Sequence, residues 1–190
     1  TVSGLVFIGT NEGLFRSADD LATWSNPVAS LNFQAFAFHP TNPNIIYAKT
    51  SSSNALIYVS TDAGITFNVS NTITGNSSSI QLSTTAACPN CVYVGSSDGI
   101  WKSVDEGQNF SLLSTPGISN YGAFAVSDID TNYILFGDID THMSSDEGQT
   151  FNQVSYWSQG NANYNTTGTY THADIRGSRC QNGVFWVNTD

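Results

Sequence analysis

The sequence predicts an all-β fold of four-stranded antiparallel sheets repeated around an axis, and three observations lead there. An octet of one outline recurs, as STDAGITF from Ser60, SVDEGQNF from Ser103 and SSDEGQTF from Ser144, with a degenerate copy, SADDLATW, from Ser17. The copies start 43, 43 and 41 residues apart. Between them lie short runs rich in β-branched and aromatic residues, and none carries apolar residues at the 3.6-residue spacing of a helix.

A period near 40 made of four short strands is the size of one blade of a β-propeller. The chain opens on a run, GLVFIGT (4–10), that matches the second strand of later units. Three full units follow. Their first strands (A) are FQAFAFHP, SIQLSTT and GAFAVSD, and their second strands (B) are NIIYAKT, CVYVGSS and YILFGD. Their third strands (C) are ALIYVS, GIWKS and THMS, after which the octet bridges to strand D. The segments 38–50 and 126–138 superpose without a gap, so even the A-to-B turns repeat. The end of the chain reads as a further A strand, TYTHADIRG (169–177), and B strand, GVFWVNTD (183–190). The expected division is a single β-propeller domain or a propeller segment, 1–190, with a partial blade at 1–31, blades at about 32–76, 77–118 and 119–166, and a partial blade at 167–190.

Each octet has a physical rationale as a hairpin clip. Asp62, Asp105 and Asp146 are placed to turn their carboxylates onto backbone N–H groups of the C-to-D connection, while Gly64, Gly107 and Gly148 supply positive φ. Phe67, Phe110, Phe151 and Trp24 then fill the gap against the neighbouring blade. Ser60, Ser103, Ser144 and, in the first copy, Ser17 and Asp19 complete the pattern, although Leu21 stands there where Gly belongs. With these residues the chain resembles the Asp-box, or BNR, repeat family of β-propellers, whose consensus is S-x-D-x-G-x-T-W or F. The resemblance implies a structural role for the octets, on the outer rim and away from the central channel.

The composition excludes some functions. Fifteen Asp and Glu stand against five Lys and Arg, giving a formal net charge of -10, which repels a phosphate backbone and argues against nucleic-acid binding. No apolar run approaches the roughly 18 residues that a membrane-spanning helix needs. Ser and Thr total 45 and Asn 19, a polar but weakly charged surface of the kind found on extracellular β proteins, so an extracellular or cell-surface location is expected.

Candidate chemistry is sparse. His172, Asp174 and Arg176 occupy alternate positions on the expected last A strand and so would share one face. The segment resembles an H-x-D-x-H or R signature of sortilin-like and xyloglucanase-like propellers, which implies a ligand contact in the channel. Asp138, in GDID, resembles the catalytic acid of xyloglucan-degrading glycosidases, but the second carboxylate that inverting hydrolysis requires is replaced by Asn11 in TNEGLFR, with Glu12 expected on the opposite face. Sialidase chemistry needs an arginine triad, and Arg16, Arg176 and Arg179 are the only arginines. DIDTN (128–132) begins like a calcium loop but has Tyr133 at position six and Ile139 at position twelve, so it reads as a turn; no metal and no cofactor is implied.

Cys88 and Cys91, in C-P-N-C, lack the helix of a redox motif and the further ligands of a zinc site, and read as a local disulfide, leaving Cys180 unpaired. Sequons at Asn68, Asn76, Asn109 and Asn165 permit N-glycosylation, although their number matches chance for this composition.

The terminal sheets offer unpaired edges, which three arrangements could cover: closure into a four-bladed ring, further blades of a longer propeller, or completion by other copies of the chain. The expected function is a non-catalytic scaffold for adhesion, ligand binding or self-assembly, with glycans or peptides as further partners. The competing classes are a fragment of a xyloglucanase-type glycosidase and a sortilin-like peptide receptor.

Overall fold

In the computed structural model the described residues are 4–74, 80–96, 98–117, 122–137, 139–158 and 170–189, and all regular structure among them is β. The first sheet has three strands, β1 (Val6–Thr10), β2 (Gly13–Ser17) and β3 (Ser25–Ala29). The second comprises β4 (Phe33–Phe38), β5 (Ile46–Thr50), β6 (Asn54–Ser60) and β7 (Asn68–Thr74). The third comprises β8 (Gln81–Thr85), β9 (Cys88–Ser96), β10 (Gly99–Ser103) and β11 (Ser111–Ser114). The fourth comprises β12 (Ala123–Val126), β13 (Ile134–Gly137), β14 (Thr141–Ser144) and β15 (Asn152–Gln153), and β16 (Ile175–Gln181) pairs with β17 (Val184–Thr189) as a fifth. Every sheet is an antiparallel meander in chain order, as hairpin-length connections require.

Such a sheet cannot bury a face alone, so the core lies between successive sheets. Leu14 of the first packs with Phe33, Ala48 and Tyr58 of the second. Tyr47 and Ala37 of the second meet Val92 of the third. Tyr93 and Ile100 of the third meet Phe124, Ile134 and Phe136 of the fourth. Ala123 and Leu135 of the fourth close on Ile175 of the fifth. The B strands lie in the middle of this stack, and all five residues of β5 are buried. Each fully buried Ile, Leu or Phe contributes roughly 1.5–3 kcal/mol.

The first strands of the sheets pack side by side, β4 on β8, β8 on β12 and β12 on β16. Short hydroxyl side chains knit this inner row together. Thr84 Oγ1 donates to Phe38 O at 2.8 Å, Thr85 Oγ1 to Ser127 O at 2.5 Å, and Val126 N to Ser83 Oγ at 3.1 Å. Four-blade closure does not form, because β16–β17 remains a sheet separate from β1–β3. The fifth sheet instead continues the series by seating β16 on β12. Gly122 makes this possible, since a Cβ there would lie 1.4 Å from the carbonyl oxygen of Ile175.

Candidate functional site

All four octets share one geometry. The Ser60 hydroxyl donates to Asp62 Oδ1 at 2.8 Å and accepts from Gly64 N at 2.8 Å; Asp62 in turn accepts from Thr66 N at 2.9 Å and Thr66 Oγ1 at 2.6 Å. Ser103, Asp105, Gly107 and Asn109 repeat these bonds, with the Asn109 amide standing in for a hydroxyl. Ser144, Asp146, Gly148 and Thr150 do so again, as do Ser17, Asp19, Leu21 and Thr23 in the first copy. The four serines are buried.

Burial alone would raise the Asp62 carboxyl, but hydrogen bonds from Thr66 and Ser60 outweigh it and hold the pKa at about 2. Asn109, then Ser103, bring Asp105 to about 2, and Thr150, then Ser144, bring Asp146 to about 2. Carboxylates held this low do not carry protons near neutrality and are poor general acids.

The residue before each octet glycine also has positive φ, at Ala63, Glu106 and Glu147. Its N–H donates to the carbonyl of Asn44, Asn90 and Asn132 respectively, so each octet grips the A-to-B turn of its own sheet or, in the third, the start of β9. The disulfide between Cys88 and Cys91 lies in that same stretch of β9, on either side of Asn90. Phe67 packs edge-on against Phe7 of the first sheet, and Phe110 and Phe151 pack into the junctions with the sheets before them. Trp24, with no preceding sheet beside it among the described residues, is exposed, and Leu21 adopts a φ of 73° where its counterparts are glycines.

The inner row presents a cleft of about 560 Å³, lined by Phe36, Phe38, Leu82, Thr84, Asp128 and Arg179 among others. Phe36, Phe38 and Phe124 line it together with short polar side chains and one charge of each sign. Asp128 accepts from the backbone N–H groups of Asn182 (2.7 Å) and Gly183 (2.8 Å) in the β16–β17 turn, and from the Cys180 thiol at 3.4 Å. The Gly183 bond in particular holds its carboxyl below the ordinary value, while burial pushes the Cys180 thiol up. DIDTN is thus a turn whose acids cap backbone: Asp130 Oδ1 accepts from Asn132 N at 3.0 Å.

The three residues expected on one face of the last A strand do not all lie on that strand. That strand begins at Ile175 instead of residue 169, because Asp174 takes a φ of 64° that breaks an extended chain, and Ile175 is the first side chain buried against the fourth sheet. His172 lies before the strand, exposed, with Nδ1 3.0 Å from Ala173 O, and only Arg176 is in it. Glu12 lies in the β1–β2 turn, where its N–H bonds to Thr10 Oγ1. Asp138, Asn76 and Asn165 fall outside the described residues; Asn68 and Asn109 are exposed. The described residues contain no cluster of three or more His, Cys, Asp or Glu able to hold a metal ion, and no helix long and apolar enough to cross a membrane.

Successive four-stranded meanders with their first strands in one inner row are the blades of a β-propeller, here not closed into a ring. Solved structures agree with that class. An ancestral GH74 enzyme is similar with a TM-score of 0.67 at 20% identity, over 80% of this chain and 24% of that one. A GH74 xyloglucanase from Xanthomonas campestris gives 0.63 at 19% identity, over 83% and 29% of the respective chains. YCF48 bound to D1 peptide gives 0.63 at 11% identity, over 98% and 57%. The chain therefore spans less than a third of the length of these GH74 enzymes. No protein-family model and no curated protein matches the sequence.

Proposed function

We propose that the chain is a non-catalytic propeller scaffold of the Asp-box (BNR) kind, placed outside the cell or on its surface, which binds a ligand in the cleft of its inner strands and is extended by further blades or by other copies of itself. The observation that carries this reading is the use made of the repeated acids: each is bonded inside its own turn, with Asp62, Asp105 and Asp146 at a pKa of about 2, so the octets build the rim and leave recognition to the inner row. The Cys88–Cys91 disulfide supports an oxidising compartment, and the rings and hydroxyls that line the cleft suit a glycan or an extended peptide. The hydrolase reading, drawn from likeness to GH74 enzymes, rests on fold alone, and this chain carries Asn11 where a second carboxylate is needed.

The test pairs two measurements. Incubation with xyloglucan should release no reducing ends, whereas hydrolysis that disappears in Asp138→Asn would establish the enzyme reading instead. Screening of oligosaccharides and extended peptides should yield a binder whose affinity falls at least tenfold in Phe38→Ser; binding indifferent to that substitution would place recognition elsewhere.

A further inference from the structure

The residue immediately before each octet occupies one register position, opposite the residue that follows the octet's aromatic: Arg16 faces Ser25, Val59 faces Asn68, and Lys102 faces Ser111. At two junctions this position sends a cation into the next sheet. Arg16 Nε donates to Ala63 O at 2.9 Å. Lys102 Nζ donates to Glu147 Oε1 at 2.7 Å, lies 5.4 Å from the Tyr93 ring centre, and shares Glu147 with the Tyr93 hydroxyl at 2.7 Å. Thr131 adds a side-chain hydrogen bond to the same carboxylate.

The junction between the second and third sheets has the acid without the cation. Glu106 stands where Glu147 does, Tyr47 where Tyr93 does, and Val59 where Lys102 does, while the position matching Thr131 is Pro89, which has no donor to offer. The consequence is visible in the packing. Tyr47, fully buried, leaves its hydroxyl without a partner. His39 accepts at Nδ1 from Thr41 N and Asn42 N, so its proton is on Nε2, and that buried N–H stops 3.9 Å from Glu106 Oε1 with no hydrogen-bond partner. Over Glu106 opens a concavity of about 330 Å³, walled by Val59, Val69, Thr61, Ser70 and Gln108.

We propose that this concavity is a binding pocket for an alkylammonium or guanidinium group, as lysine and arginine side chains carry, with Glu106 as its counter-ion. The apolar stem of such a group lies along Val59, which holds the register position of Lys102 in the next junction, and its charged head replaces the missing partner of Glu106. A net charge of -10 draws cationic partners toward the site. The site is on the rim, apart from the inner cleft, and its existence does not depend on the scaffold reading.

The test uses n-butylguanidinium chloride and N-acetylarginine amide as probes, with binding followed through the NMR shifts of the Val59 methyl groups. Saturable binding with a Kd on the order of 1 mM is expected for the wild-type chain. It should weaken at least tenfold in Glu106→Gln and in Val59→Lys, the latter supplying its own ammonium. Val59→Lys should also melt higher than Val59→Met, which fills the space without a charge. Comparable affinity for both probes identifies a side chain presented by a polypeptide as the natural occupant; binding of n-butylguanidinium alone identifies a small free cation, and either upholds the pocket. Unshifted methyls, equal affinity in Glu106→Gln, or no advantage of lysine over methionine at position 59 would overturn it.

Discussion

Ser103 shows how much a single small side chain decides. Its buried hydroxyl donates to Asp105 and accepts from Gly107 N, so removing it leaves a buried N–H without a partner. Ser103→Ala is expected to cost about 1–3 kcal/mol, read from the denaturant midpoint. The acids that these serines orient set the response to pH. Asp62, Asp105 and Asp146 sit at about 2 when folded, below the ordinary 3.8 of the unfolded chain. Their contribution is therefore complete above about pH 4 and is lost as pH falls toward 2. Thermal melts across that window should fall for the wild-type chain and flatten in the triple Asp→Asn variant. Leu21 is the converse case, a side chain where the backbone asks for none. With φ at 73°, Leu21→Gly should stabilise by about 1 kcal/mol. Gly64→Ala should destabilise by about 2 kcal/mol or more, because its Cβ would come within 2.4 Å of the Phe7 ring.

At the scale of strands and hairpins, the sequence was most legible where period and turn chemistry agreed. Alternation located the A, B and C strands of three units, and the S-x-D-x-G outline located the hairpins, because both are set by residues within a few positions of one another. The last A strand was misplaced by several residues, since THADIR alternates as a strand does while its true limit depends on Asp174 turning left-handed and Ile175 finding the fourth sheet. That docking rests on Gly122, and Gly122→Ala should wedge β16 away from β12. Hydrogen exchange should then show the β16–β17 amides losing protection while those of β5 and β9 keep theirs; unchanged β16–β17 protection would mean that the contact is not needed.

For the molecule as a whole, β17 matters most: among the described residues it pairs only with β16, and Val184 and Trp186 on one of its faces are 53% and 62% exposed, so another chain could add to it there. If copies extend one another there, sedimentation of the wild-type chain should show association that rises with concentration and vanishes in Trp186→Lys; a monomer at every concentration would rule that assembly out. The sequence alone determined the repeat, the all-β class and the use of the octet acids, because these follow from short-range bonding and from where apolar residues fall along the chain. Only the tertiary structure decided what the junctions hold: a filled clasp at Lys102 and Glu147, an unfilled one at Val59 and Glu106, and a cleft over the inner strands. Residues more than forty positions apart meet there, and what one side chain lacks becomes apparent only when the neighbouring sheet is seen against it.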